Sequence, residues 1–352
     1  MQNTINTLRT SLRQARSSQG LPLYDEREVR AIIDLLLEEV CSLSRTDRVL
    51  HPDLQLPTSQ RDTLLRLATL LGRGIPVQQA LGYEWFCGER FVVSPDVLIP
   101  RPETAELVHW IVDEVGQAKS SPAPSDGVSA ATAGASPSPV RILDVGTGSG
   151  CIALSLARLV HNSQVVALDL STAALAIARQ NASQQGVDNV QFTQGDILAM
   201  VDNSAPQSVI TGLSTACPQG SEPGCQPRLS TIYPQSDTVY PPVVDISSRC
   251  FDIIVSNPPY ICQHEAAAMS DLVLQHEPSM ALFVPDQDPL LFYRAIARFA
   301  LTHLASGGHL FFELNAAYGP QTRQLLLDLG YTSVQLRQDV TGRDRMLSAL
   351  IS

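Results

Sequence analysis

The chain lacks long apolar runs and any surplus of positive charge. None of its apolar stretches approaches the roughly 18 residues of a membrane-spanning helix, and the N-terminal residues show no charged-then-apolar signal pattern. We therefore expect a cytoplasmic protein with no membrane partner. Lys and Arg number 24 against 35 Asp and Glu, which gives a net charge of −11. A general nucleic-acid binder needs a basic face to neutralise phosphates, so we expect no direct nucleic-acid partner.

Patterned cysteines are absent as well. The seven cysteines are scattered and include no Cys-x-x-Cys pair. Such a set is typical of reduced thiols and not of a disulfide or zinc framework. Cys262 and His264 lie close together in the sequence, but a zinc site needs more ligands than two, so we expect no metal. We find no Ser-His-Asp or paired-carboxylate pattern, which argues against hydrolysis.

The composition changes along the chain and divides it into segments. Residues 1–80 contain stretches with helical spacing of apolar residues and predict a small helical domain. Residues 81–116 predict a hairpin and a connecting helix. Residues 117–139, dominated by Ser, Ala, Pro and Gly, predict a flexible linker. Residues 140–352 predict the main domain, interrupted at about 202–249 by a proline-rich, mobile insertion.

Strand-like and helix-like stretches alternate beyond residue 140. Short β-branched runs follow one another with helical stretches between them, and the last two runs flank a turn. This alternation is typical of a mostly parallel sheet with right-handed crossovers. We therefore expect an α/β fold, in which a Rossmann-like, seven-stranded, doubly wound sheet ends in a hairpin and is preceded by the small helical domain.

Glycines or carboxylates follow the first three predicted strands. The first strand ends in a glycine-rich turn made of Gly146, Thr147, Gly148, Ser149 and Gly150. The second strand ends at Asp169, and the third is followed by Asp196 and Ile197. Because the carboxyl ends of parallel strands meet at one edge of a sheet, we expect these residues to line one ligand site.

The spacing of the glycines narrows the choice of ligand. A dinucleotide fingerprint would place its third glycine at position 151, where this chain has Cys151. The pattern Asp-x-Gly-x-Gly-x-Gly at residues 144–150 instead resembles S-adenosylmethionine sites. In such a site the Asp169 carboxylate would accept hydrogen bonds from both ribose hydroxyls, and Asp196 and Ile197 would lie beside the adenine. For any one of these residues alone, an ordinary turn is the alternative.

A fourth predicted strand stops at Asn257, Pro258, Pro259 and Tyr260. Prolines fix φ and donate no backbone hydrogen bond, so the Asn257 amide and the carbonyls of Asn257 and Pro258 form a rigid group of acceptors. A planar NH2 group suits these acceptors, with Tyr260 covering its face, and Asn257 would also adjoin the cofactor. We interpret Asn257, Pro258 and Tyr260 as catalytic and the whole motif as substrate-binding. A proline-stiffened turn after a core strand is the alternative.

Five motifs occur together and in order along the chain. They are Ile-Pro-Arg-Pro-Glu-Thr at residues 99–104, the glycine loop with its strand at 143–150, Asn-Pro-Pro-Tyr-Ile at 257–261, Glu-Pro-Ser-Met-Ala-Leu at 277–282, and Gly-Arg-Asp-Arg at 342–345. This combination resembles the release-factor glutamine methyltransferases (HemK/PrmC type), and the first motif makes the match specific. The resemblance covers the chain from about residue 25 onward, except for the linker and the insertion.

The resemblance implies an S-adenosylmethionine-dependent protein methyltransferase. Members of this family methylate the side-chain amide nitrogen (N5) of the glutamine in the Gly-Gly-Gln motif of class I peptide chain release factors. The implied partner is therefore a peptide chain release factor, recognised with the help of the helical domain, and we expect a monomer. Two alternatives stay open, namely a glutamine methyltransferase of a ribosomal protein and a nucleic-acid amino-group methyltransferase.

The resemblance also assigns roles to individual residues. It places residues 146–150 and Asp169 at S-adenosylmethionine, and residues 257–260 at the substrate glutamine. Ile197 stands where some members have tryptophan, and residues 284–290 depart from the family's glycine-rich pattern. Because aspartate keeps an acceptor of nearly equal size, the sequence predicts that Asn257→Asp retains measurable activity.

Overall fold

The computed structural model describes residues 1–51, 53–120, 138–202 and 250–351. Most of the linker predicted at 117–139 and of the insertion predicted at 202–249 lies outside the described residues. No helix within the described ranges is long and apolar enough to cross a membrane.

Helices and strands are numbered here in chain order. The helices are α1 (Gln2–Gln14), α2 (Glu26–Cys41), α3 (Arg45–Leu50), α4 (Thr58–Gly72), α5 (Val77–Leu81), α6 (Pro102–Ser120), α7 (Cys151–Leu159), α8 (Thr172–Gln185), α9 (Ile197–Asp202), α10 (Asp271–His276), α11 (Ser279–Leu282), α12 (Leu291–His303) and α13 (Gly319–Asp328). The strands are β1 (Tyr83–Phe86), β2 (Glu89–Val92), β3 (Val140–Val145), β4 (Ser163–Asp169), β5 (Val190–Gln194), β6 (Phe251–Ser256), β7 (Ile261–Cys262), β8 (Phe283–Val284), β9 (Leu304–Glu313), β10 (Thr332–Gln338) and β11 (Asp344–Leu350).

The chain divides into two compact units. The first comprises Met1–Ile99 and His264–Ser279, and the second comprises Pro100–Gln263 and Met280–Ser352. The first unit therefore continues beyond the helices, includes the β1–β2 hairpin, and takes in a segment from much later in the chain.

Leucine-rich helices build the first unit. α1, α2 and α4 pack together through buried side chains that include Leu8, Leu36 and Leu67. α2 begins at a capping box, in which the Asp25 carboxylate accepts from N–H groups of the first turn and Glu28 accepts from the N–H of Asp25. Capping and an apolar face together explain why this segment is helical from Glu26 onward.

A buried carboxylate joins two distant motifs within the first unit. The backbone N–H of Ile99 donates to Oε2 of Glu277 at 3.2 Å, and Glu277 is only 6% exposed. A buried carboxylate without a donor would be costly, so the pairing explains why a glutamate can stand at that position.

A seven-stranded sheet organises the second unit, in the order β10-β11-β9-β6-β3-β4-β5. β9, β6, β3, β4 and β5 run parallel to one another, and β11 runs antiparallel to both β9 and β10. The predicted Rossmann-like α/β fold and its final hairpin are confirmed. β3 lies between β4 and β6, which makes its carboxyl end the switch point at which open α/β sheets bind ligands.

Helices cover both faces of this sheet. Neighbouring residues of a strand point to opposite faces, and Phe311 and Phe312 of β9 illustrate the rule. Phe311 packs edge-to-face on Trp110 of α6 with ring centroids 5.5 Å apart, and Phe312 packs in the same manner on Tyr293 of α12 at 5.3 Å. Both phenylalanines are fully buried, so β9 is held firmly from both sides just before its end at Glu313.

Some element limits differ from the sequence predictions because packing and capping decide them. The apolar run from His309 to Leu314 predicts a strand, but β9 begins earlier, at Leu304, since Leu304 pairs with Phe251 of β6. α6 continues to Ser120, so residues 117–120 are helical although the linker was predicted to include them. The sequence from about Glu265 to Gln275 predicts one helix, but this stretch is divided into a 3₁₀ segment, Gln263–Ala268, and α10, which Ser270 caps.

Candidate active site

The loop between β3 and α7 turns at three glycines. Gly146, Gly148 and Gly150 have φ angles of 76°, 56° and 82°, a region that other residues rarely adopt. The N–H of Gly146 donates to the carbonyl of Leu168 at 2.8 Å, which ties the loop to β4. A Cβ on Gly146 or Gly148 would meet no atom within 4 Å, so these residues present bare backbone to open space. Bare backbone ahead of a helix N-terminus suits the close approach of a ligand.

Two side chains of the same loop face inwards. The Thr147 hydroxyl donates to Oδ2 of Asp144 at 2.6 Å, and the N–H of Ala153 donates to the same oxygen at 3.2 Å. Thr147 and Ser149 are only 4% and 2% exposed. These two predicted cofactor residues therefore have only their backbone to offer a ligand, and the Thr147 side chain supports the loop through Asp144. Burial raises the pKa of Asp144 to about 7, and the neighbouring charge of Asp169 acts in the same direction.

Asp169, at the end of β4, is held by two backbone donors. The N–H of Gly148 donates to Oδ2 and the N–H of Ser171 donates to Oδ1, both at 2.8 Å. Each carboxylate oxygen has about two lone pairs, so each can accept a further hydrogen bond. Burial raises the pKa of Asp169, and the backbone donors oppose that shift. The carboxylate therefore fits a ligand that brings hydroxyl donors to this edge of the sheet.

The residues after β5 have mainly local contacts. One carboxylate oxygen of Asp196 accepts from the N–H of Leu198 at 2.9 Å, which caps α9. Ile197 is 7% exposed and belongs to the core cluster that also contains Leu168. These contacts explain why the two residues stand at the start of α9. Among the described residues, the other carboxylate oxygen of Asp196 is left for a ligand.

Asn257 follows β6, and its side-chain NH2 group donates a hydrogen bond to another residue of the protein. Ser256, the last residue of β6, donates its hydroxyl to the carbonyl of Val145 at 2.7 Å and so joins the ends of β6 and β3. Nδ2 of Asn257 donates to the hydroxyl oxygen of Thr104 at 3.3 Å. Within the part of the chain that the structure describes, Oδ1 of Asn257 accepts no hydrogen bond. The acceptor end of the amide is therefore available to a ligand.

A buried carboxylate, Glu313, stands behind this pair. The Thr104 hydroxyl donates to its Oε2 at 2.5 Å, and the Tyr260 hydroxyl donates to its Oε1 at 3.2 Å. Glu313 is 0% exposed and Thr104 is 2% exposed. Burial raises the pKa of Glu313 to about 7, against the lowering effects of the Thr104 hydrogen bond and of Arg345.

Tyr260 is fixed at both ends. Its hydroxyl contacts Glu313, and its backbone carbonyl accepts from Nδ2 of Asn315 at 3.1 Å. Burial and the charge of Glu313 raise the pKa of Tyr260 far above its ordinary value, so this phenol stays neutral. Pro258 is buried and Pro259 is partly buried, so the motif forms a wall of the site and not a loose loop.

Sequence reasoning missed Thr104, Glu313 and Arg345 as site residues. Arg345 donates to the carbonyl of Leu314 at 3.1 Å and lies 3.4 Å from the Asp339 carboxylate. Thr104 and Arg345 stand in two of the five motifs, where they contributed to the resemblance without a role. The signal for Glu313 was a carboxylate that closes an apolar strand, the same signal that identified Asp169.

Two segments of the chain match known families. Residues 16–82 match the family described as the PrmC N-terminal domain, and residues 137–210 match a methyltransferase domain family. The first match lies in the first unit, and the second covers the glycine loop, Asp169 and Asp196.

Relatives match almost the whole chain. A release factor glutamine methyltransferase of Flavobacterium psychrophilum is 36% identical over 97% of this chain and 98% of its own length. Proteins of the same name from Bacteroides thetaiotaomicron and Chlorobaculum tepidum are 34% and 32% identical, over 93% and 92% of this chain and 94% and 90% of their own lengths. With the motifs, the sheet and these relatives in agreement, the chain belongs to the family of release factor glutamine methyltransferases.

Proposed function

We propose that this protein methylates the side-chain amide nitrogen (N5) of the glutamine in the Gly-Gly-Gln motif of a class I peptide chain release factor. The observation that carries the proposal is the orientation of Asn257. Its NH2 group donates to Thr104, so its oxygen is the end that faces away from the protein's own hydrogen bonds. An amide substrate needs such an acceptor, because its own NH2 group brings two donors.

The cofactor is S-adenosylmethionine, in keeping with the methyltransferase domain and the family of the chain. When bound, it supplies an electrophilic methyl group carried by a positively charged sulfur. The bare backbone of Gly146 and Gly148 and the Asp169 carboxylate fit its size and its ribose hydroxyls. Asp196 and Ile197, after β5, are the residues that we assign to the adenine end.

The chain's own task is to hold the glutamine amide. An amide nitrogen is a weak nucleophile because its lone pair is delocalised into the carbonyl. Oδ1 of Asn257 and the carbonyl of Pro258 would accept the two N–H hydrogens, which fixes the nitrogen and directs it. Holding reactants in line can lower a barrier by about 7–11 kcal/mol in favourable cases. A strong general base is not needed, because the methyl donor is already reactive.

We expect Asp169→Ala to weaken S-adenosylmethionine binding about tenfold to a hundredfold, since hydrogen bonds to a charged acceptor are lost. Isothermal titration calorimetry of the purified protein measures this. The matched control is Asp188→Ala, because Asp188 is an exposed carboxylate of the same unit. Equal affinity in the Asp169 variant and the control would remove Asp169 from the ribose site.

Mass spectrometry of a release factor tests the proposed function. We expect one added methyl group on the Gly-Gly-Gln peptide after incubation with the protein and S-adenosylmethionine, and none when that glutamine is replaced by alanine. Parallel incubations with ribosomal proteins, tRNA and DNA test the alternatives. Labelling of one of those and not of the release factor would overturn the proposal.

A further inference from the structure

We propose that Thr104 and Glu313 are positioning residues that decide which end of the Asn257 amide faces the substrate, and that a proton on Glu313 reverses the choice. The proposal rests on the proposed function for its substrate. It adds two residues to the acceptor group formed by Asn257 and Pro258, and it makes the orientation of the Asn257 amide depend on the protonation of Glu313.

The direction of the hydrogen bonds follows from counting protons. When Glu313 is ionised, it can only accept, so the Thr104 hydroxyl gives its one proton to Oε2 of Glu313, 2.5 Å away. Thr104 can then only accept from Asn257, so the Asn257 NH2 group must face it. The amide oxygen is left for the substrate. Amide orientation is otherwise ambiguous, and an ionised Glu313 would fix it in this direction.

Protonation of Glu313 reverses the donor and acceptor roles along the series Glu313, Thr104 and Asn257. Its carboxyl O–H would donate to Thr104, and the Thr104 proton would then be directed at Asn257. Only the amide oxygen of Asn257 can accept that proton. The Asn257 amide would rotate by half a turn and present its NH2 group to the substrate. The NH2 groups of Asn257 and of the substrate glutamine would then face each other, with no acceptor between them. A substrate glutamine held by acceptors in one state would be repelled in the other.

The groups around Glu313 have opposite effects on its protonation. Arg345 of β11 favours the ionised carboxylate, whereas burial and the charge of Glu103 of α6 favour the proton. The Tyr260 hydroxyl donates to the carboxylate, and Tyr293 of α12 donates to the backbone carbonyl of Glu313 and not to its side chain. The balance raises the pKa of Glu313 to about 7, where small changes of pH change its charge.

Nearby groups influence Arg345 in turn. Asp339 lies 3.4 Å from the Nε of Arg345, and its own pKa is lowered to about 2, so its negative charge persists throughout the relevant range. Asp144, at the end of β3, also has a pKa of about 7. Because the two carboxyls titrate in the same range, variants of Glu313 are needed to assign a pH dependence of the wild-type protein to Glu313.

Four variants test the arrangement by single-turnover methylation at saturating cofactor. We expect Thr104→Val, which removes the hydroxyl but keeps the shape, to slow transfer about a hundredfold, as misplacement of a reacting group does. Thr104→Ser keeps the hydroxyl and should restore most of the rate. Glu313→Gln can present either an oxygen or an NH2 group to Thr104, so we expect a slower rate and no titration of Glu313. Thr322→Val is the matched control, because it removes another buried hydroxyl, bonded to the carbonyl of Tyr318 at 2.8 Å.

A second readout needs neither substrate nor cofactor. In the full-length protein with isotope-labelled asparagine, the NMR signals of the Asn257 NH2 group are those lost in Asn257→Ala. We expect them to shift with pH around a midpoint near 7 in the wild-type protein and to stay constant in Glu313→Gln. The same signals should move on Thr104→Val and not on Thr322→Val.

The outcomes separate this inference from the proposed function. A wild-type protein that leaves release factors unmethylated overturns the function, while the NMR titration still tests the positioning residues. Asn257 signals that ignore pH, or that titrate equally in Glu313→Gln, overturn the positioning role. So does a Thr104→Val protein that transfers methyl groups as fast as Thr322→Val.

Discussion

Asn257→Ala is expected to lower the rate of methyl transfer to a release factor about a thousandfold or more, while the chain stays folded. Loss of the Oδ1 acceptor leaves a donor of the glutamine unpaired, at a cost of roughly 1–3 kcal/mol. The substrate nitrogen is also no longer directed at the methyl group, which lowers the rate by about a further hundredfold. Asn257 is partly exposed and follows the last residue of β6, so its truncation removes little core.

Single-turnover kinetics with the purified variant measure the effect, and calorimetric titration with S-adenosylmethionine checks that the cofactor site is intact. A variant that binds the cofactor and transfers the methyl group at the wild-type rate would disprove the acceptor role of Asn257.

The structure changes the expectation for Asn257→Asp. From the sequence, aspartate looked conservative and was predicted to retain measurable activity. Thr104, however, has a single hydroxyl proton and gives it to Glu313. An aspartate at position 257 would point one oxygen at a Thr104 oxygen with no proton to share. We now expect the Asp variant to be as inactive as the Ala variant in alkali and to recover part of its rate in acid, when one of the two carboxylates is protonated.

Glu313→Gln is expected to raise the free energy of unfolding of the second unit by about 3 kcal/mol above pH 7 and to have little effect in acid. Burial raises the pKa of Glu313 from 4.5 to about 7. A carboxyl with a raised pKa stabilises the folded state while protonated, and that contribution is lost as the pH rises through 7. The neutral glutamine has no such loss.

Denaturation at two pH values checks the prediction. The chain has two tryptophans, and in a Trp85→Phe background the fluorescence of Trp110, buried in the second unit, reports on that unit alone. Asp188→Asn, an exposed carboxylate of the same unit, serves as the control for a lost charge. If Glu313→Gln destabilises the protein equally at both pH values, ionisation of Glu313 has no cost in folding free energy, and the prediction is wrong.

The sequence predicts much of the fold because the relevant signals are local. Apolar runs, a glycine turn and helix caps lie within a few residues of the features that they determine, and the order of the parallel sheet follows from their alternation. Asp169 was found in this manner, and the structure places it beside the glycine loop. Thr104 and Glu313 lie 209 positions apart and meet only in the folded chain, so no local pattern pairs them.

Burial is the other property that the sequence does not give. Thr147 and Ser149 stand in the same loop as the exposed Gly146, yet their side chains are enclosed. Asp144 and Glu313 have ordinary carboxyl groups in the sequence, and burial, helped by neighbouring negative charges, raises their pKa to about 7.

The position of β11 has a consequence for the folding of the enzyme during its synthesis. β11 is the last strand of the sheet in chain order, yet it lies between β9 and β10 and brings Arg345 to the site. During synthesis on the ribosome, β9 therefore keeps an unpaired edge until this strand emerges, and such edges recruit other chains. The charge that favours the working form of Glu313 arrives on the same strand. A nascent or truncated chain would thus be both aggregation-prone and inactive, and activity would begin only once the sheet closes.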